Sequence, residues 1–126
     1  YEMLRSLVGS EMCIRDKFGG ALAFDVLAAG IAHAGAPVLV VNEPVFRSSG
    51  RNSDLRYNAW YPRWAYDAYR AALAAEAAAR GWPLLDLWDA IPPDAFTDSP
   101  VHLTPAGSQR LADRLAAFVQ AQPLPG

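Results

Sequence analysis

The sequence predicts an α/β fold built on a parallel sheet. Two observations lead there. Segments with a 3.6-residue apolar period alternate with two short, continuous apolar runs, in the order helix, strand, helix, strand, helix. The runs are uninterrupted rather than alternating, the pattern of strands buried on both faces, as parallel strands are.

The first helix is expected over Phe18–Ala34, where Phe24, Leu27, Ala28 and Ile31 share a face and Gly35 supplies the stop. Val38–Val41 is the first strand. Residues 42–60 form a polar loop rich in Asn, Ser and Arg, longer than most connections and so a candidate for function. A second, alanine-rich helix runs from Pro62 to Arg80 and ends at Gly81. Pro83–Leu87 is the second strand. An irregular stretch with Pro92 and Pro93 leads to a final helix over Thr104–Gln120, with Thr104 as N-cap, Pro105 at the first helical position and an apolar face at Leu111, Leu115, Phe118 and Val119. Two strands make a poor sheet on their own. The expectation is therefore the C-terminal part of a larger α/β domain.

With 126 residues, 52% of them hydrophobic, and a net charge of -2, the chain reads as one globular domain. Its arginines are scattered, so no nucleic-acid partner is expected. Asp25, His33 and Pro37 interrupt the longest apolar stretch, Ala21–Val41, so no membrane span is expected there. The single cysteine, Cys13, excludes an internal disulfide, and the sequence leaves localisation open. Composition changes near residue 17. Residues 1–16, YEMLRSLVGSEMCIRD, hold both methionines and the only cysteine but no alanine, and they resemble a translated sequencing adapter. We read 1–16 as a non-native leader and 17–126 as the C-terminal portion of one domain.

In open parallel sheets ligands bind beyond the carboxyl ends of the strands. Here those ends deliver Asn42 and Glu43, then Trp88 and Asp89. Asn42 and Glu43 are candidates to line a substrate pocket, or simply close the turn with Pro44. His102 lies directly before the final helix, which would hold it rigidly. A neutral imidazole there can take a proton from a serine hydroxyl while a carboxylate fixes its tautomer. The other histidine, His33, suits the end of a helix better than a catalytic role. In the loop, Arg47, Arg51, Asn52, Asp54 and Arg56 could grip a polar or anionic group, or form solvated surface. Trp60, Tyr61, Trp64 and Tyr66 could make an aromatic wall, or pack in a core. No second histidine or cysteine stands at ligand spacing from His102, and no glycine-rich phosphate loop follows either strand. Neither a metal nor a cofactor is expected.

The segment TDSPVHLTPAGSQRLADRLAAF resembles the last block of SGNH/GDSL-type hydrolases, in which an Asp and a His precede the final helix. PVLVVNEPVF, the polar loop, the Ala/Tyr-rich helix and GWPLLDLWDAI resemble the last two strands of that fold and their connection. The resemblance covers about residues 18–121. It implies a three-layer α/β/α, flavodoxin-like domain that cleaves acyl esters, of a small molecule or a carbohydrate, with a serine nucleophile. Carried over, His102 is the base and Asp98 its orienting acid.

Two departures stand out. The family's acid lies three residues before the histidine, where this chain has Ser99; Asp98 is four before, a difference a bulge at Pro100 would absorb, and Asp94 is a weaker candidate. The Gly-Asp-Ser and Gly-x-Asn-Asp motifs that carry the nucleophile and oxyanion donors are absent from the chain. The expectation is thus a fragment inactive by itself. A polysaccharide O-acyltransferase of the same fold and a non-catalytic α/β binding module are the alternatives. A truncated sheet would also expose a strand flank and invite self-association.

Overall fold

The computed structural model describes residues 22–122. Expectations for the leader, residues 1–16, for residues 17–21 and for the tail beyond Gln122 concern residues outside that range. The described part is mixed α/β. In order it holds α1 (Phe24–His33), β1 (Val40–Asn42), α2 (Arg63–Arg80), β2 (Leu84–Asp86), a single 3-10 turn (Pro93–Ala95) and α3 (Pro105–Ala121). The strands pair in parallel, with Val40 opposite Leu84, Val41 opposite Leu85 and Asn42 opposite Asp86. Among the described residues the sheet has these two strands. Each expected element has a counterpart among the described residues, displaced by a few residues; of the first helix expected over 18–34, residues 18–21 lie outside that range, and Leu22 and Ala23 are not helical.

The chain divides into two units. Among the described residues, one comprises 22–38 and 64–82, the other 39–63 and 83–122. In the first, α1 ends where Gly35 takes φ +62° and α2 where Gly81 takes φ +68°, left-handed conformations that cost glycine little. The Trp82 amide then donates to the Ala77 carbonyl at 2.9 Å, closing α2. Tyr66, Leu73 and Ala77, at the 3.6-residue period, are the buried face of α2, whereas no residue of α1 is buried. The apolar stripe read for α1 is therefore only half covered. Arg80 is bound by Glu76 one turn earlier and by Asp25 of α1, and the Glu76 hydrogen bond above all raises its pKa.

In the second unit, β1 is well enclosed, with Val40 and Asn42 buried. β2 departs from the sequence reading: Leu84 and Leu85 are half-buried and Asp86 is exposed. The core lies beyond the strand ends. Ile91, 1% exposed, packs with Ala95 and Phe96, and around them lie Phe46, Leu103 and Leu111. Phe46 and Phe96 meet edge to face with centroids 5.9 Å apart. This cluster joins the segment after β1, the segment after β2 and the inner face of α3. It thereby holds the loop that carries His102.

Candidate functional site

The start of α3 is fixed by its own sequence. The Thr104 hydroxyl accepts from the Gly107 amide at 3.1 Å, a cap on one of the helix's orphan donors, and Pro105 occupies the first helical position. The Thr104 amide also donates to the Ala95 carbonyl at 2.9 Å, tying the cap to the 3-10 turn. Gly107 is where the two come closest: a Cβ there would meet the Ala95 carbonyl oxygen at 2.6 Å. Only glycine fits this approach.

Between the turn and the helix, residues 97–102 bulge out as a closed loop. Phe96 and Leu103 form an antiparallel bridge at its neck, and the Thr97 amide donates to the His102 carbonyl at 2.9 Å. At the far side, the Phe46 amide donates to the Pro100 carbonyl at 2.7 Å. The loop is pinned at both ends.

On this loop Asp98 and His102 face one another. Asp98 Oδ1 is 4.0 Å from His102 Nδ1, within ion-pair range but beyond a hydrogen bond. Both side chains are open to solvent, at 93% and 71% exposure. The Thr97 hydroxyl lies 3.1 Å from Asp98 Oδ1 and 3.2 Å from the His102 carbonyl, so its one proton has two acceptors to choose between. Ser99, at the spacing usual for the acid, instead accepts from the Val101 amide at 3.3 Å. Asp94 sits in the 3-10 turn and is exposed. Of the carboxylates considered for the histidine, Asp98 is the one brought to it.

Beside Asp98 opens a cavity of about 410 Å³. Thr97, Asp98, Ser99 and Pro100 form one side; Phe46, Ser48, Arg51, Arg56, Asn58, Ala59 and Trp60 form the other. Arg51 and Arg56 thus reach a concave surface, and Trp60, 62% exposed, stands at its edge. Tyr66 is instead a buried residue of α2, 7% exposed, with its ring 5.9 Å from that of Tyr69.

Asn42 is buried and donates through Nδ2 to Asp86 Oδ1 at 2.8 Å, across the strand pair. Glu43 is exposed. Neither residue lines this cavity or the smaller one described below. His33 is exposed in the last turn of α1, its Nδ1 2.8 Å from the Ala29 carbonyl oxygen, as expected of a helix-end histidine.

Sequence reasoning missed Asn58. It is 5% exposed and organises the long loop: Nδ2 donates to the Phe46 carbonyl at 2.8 Å, while Oδ1 accepts from the amides of Trp60 and Tyr61 at 2.9 and 3.1 Å. The signal was its type, since asparagine mimics backbone in turns, but nothing in the sequence set it apart from Asn52. Asn52 is exposed with φ +70° and begins the turn toward Arg56.

Among the described residues no group of three or more His, Cys, Asp or Glu side chains is placed to hold a metal ion, and no helix is long and apolar enough to cross a membrane. The chain matches no family model, no curated protein and no solved structure.

Proposed function

We propose that residues 17–126 are the C-terminal portion of a three-layer α/β/α ester hydrolase of SGNH/GDSL type, with His102 as general base and Asp98 as its orienting acid. The juxtaposition of Asp98 and His102 on a doubly pinned loop beside a cavity carries this reading. The nitrogen toward Asp98 is Nδ1, so Nε2 is left to act. In the complete enzyme a serine from a Gly-Asp-Ser segment, which this sequence does not contain, gives its proton to Nε2 as it attacks the acyl carbon. The imidazolium then returns the proton to the departing alcohol. Asp98 favours that cation, and shortening the 4.0 Å gap by about 1 Å makes the hydrogen bond that fixes the tautomer.

Two measurements test this. The purified 126-residue chain is expected to show no serine-dependent turnover of an activated acyl ester, and such turnover would contradict the assignment of roles. In a complete form of the enzyme, His102→Ala is expected to lower kcat roughly 10²–10⁴-fold with folding intact. Unchanged activity would exclude His102 as the base.

A second reading has one observation in its favour. Catalytic acid–base pairs are commonly enclosed, whereas His102 and Asp98 are largely open to water. A non-catalytic α/β binding module would tolerate that exposure, and absence of ester turnover in a complete form of the protein would select it.

A further inference from the structure

Arg47 lies just beyond β1, and Arg63 is the first residue of α2. Each guanidinium is laid on an aromatic face: Arg47 Cζ is 5.4 Å from the Trp88 ring centroid, and Arg63 Cζ is 4.7 Å from that of Tyr57. The two rings meet edge to face, 5.0 Å apart. The order is thus cation, ring, ring, cation, along a cavity of about 300 Å³ that Ser48 and Ser49 also line.

Among the described residues neither arginine pairs with a carboxylate. Arg47 Nη2 reaches only the Asp89 carbonyl, at 3.4 Å, and Arg63 Nε donates to the Ser53 carbonyl at 2.7 Å. Arg47 Nε is buried and, among the described residues, has no protein acceptor. A buried charged donor left unbonded is costly, and native structures rarely keep one without a use. Two like charges on one cavity wall add to the cost unless an anion joins them.

We propose that this cavity binds a small tetrahedral oxyanion, phosphate or sulfate, either free or as a monoester. Guanidinium groups match such oxygens with paired donors in a fixed plane, and stacking on Trp88 and Tyr57 sets those planes in advance. Arg47 and Arg63 offer the terminal nitrogens of their guanidinium groups, and Ser48 and Ser49 line the same cavity. The Trp88 and Tyr57 rings offer an apolar surface to the organic part of an ester. His102 and Asp98 line no part of this cavity, so the proposal stands independently of the hydrolase reading.

The test is titration of the full chain with inorganic phosphate, inorganic sulfate and glycerol phosphate, followed by the arginine Nε–H and tryptophan indole signals in NMR. Saturable shifts of the Arg47 Nε–H and the Trp88 indole are expected, weakened about tenfold or more in Arg47→Met and in Arg63→Met. Arg110→Met, at an exposed residue of α3, should bind as the parent does. Tighter binding of glycerol phosphate would identify an ester as the ligand, and equal or weaker binding the free ion. Arg63 is exposed, so its variant keeps the test open even where Arg47→Met does not fold. Absence of saturation with all three anions, or equal loss in Arg110→Met, would overturn the proposal.

Discussion

The Thr97 amide donates to the His102 carbonyl across 2.9 Å, and that bond closes the loop on which Asp98 and His102 meet. The loop projects from a neck, the Phe96–Leu103 bridge, whose two residues belong to the hydrophobic cluster around Ile91. Packing therefore sets the backbone of the candidate site, while its side chains stay in water. Substitutions of these side chains should leave the packing beneath them intact.

His102→Ala and Asp98→Asn are expected to change the unfolding free energy by no more than about 0.5 kcal/mol, because neither side chain is buried. Urea denaturation of the purified chain checks this. A loss of 2 kcal/mol or more, roughly four times that bound, would mean that the pair holds the fold.

Gly107→Ala sets helix propensity against sterics. Propensity alone favours alanine by about 1 kcal/mol. The Ala95 carbonyl oxygen, 2.6 Å from the new Cβ, opposes it and belongs to backbone that is held by the Thr104 amide. Net destabilisation of about 1–3 kcal/mol is expected, read as a lowered denaturation midpoint. A gain in stability would show that the 3-10 turn and α3 yield freely.

Asn58→Ala removes three hydrogen bonds and leaves the Phe46 carbonyl and the amides of Trp60 and Tyr61 without that partner. The expected cost is about 2–4 kcal/mol. Hydrogen exchange should speed up at the amides of Trp60 and Tyr61 and at that of Ser48, which donates to the Tyr57 carbonyl. Asn52→Ala provides the contrast: its side chain is exposed, so the cost is limited to its positive φ, about 1 kcal/mol.

No third strand flanks β1 or β2 among the described residues. Such edges pair readily with another copy, so concentration-dependent self-association is expected in sedimentation velocity. A monomer at all concentrations would contradict this.

The elements were legible because each has local punctuation. Gly35 and Gly81 stop helices by taking positive φ, and Thr104-Pro105 starts one with a cap whose hydrogen bond is present. Asp98 is preferred to Ser99 because it carries a carboxylate, although the family's spacing falls on Ser99, and its Oδ1 lies 4.0 Å from His102 Nδ1. What could not be read depends on contacts between segments distant in sequence. Nothing in the sequence says that Phe46 would bind the Pro100 carbonyl, or that Arg47 and Arg63 would stack on Trp88 and Tyr57. Asn42 illustrates the same limit: its position at a strand end does not reveal that register sets it opposite Asp86, whose carboxylate it binds.

The most direct test of the hydrolase assignment is to sequence the source DNA upstream of the Lys17 codon. If residues 17–126 belong to such a hydrolase, the reading frame departs from the present leader and encodes Gly-Asp-Ser, followed by Gly-x-Asn-Asp, ahead of Lys17. A frame in which YEMLRSLVGSEMCIRD is genuinely encoded, with neither motif before it, would contradict the assignment and leave His102 without a nucleophile to serve.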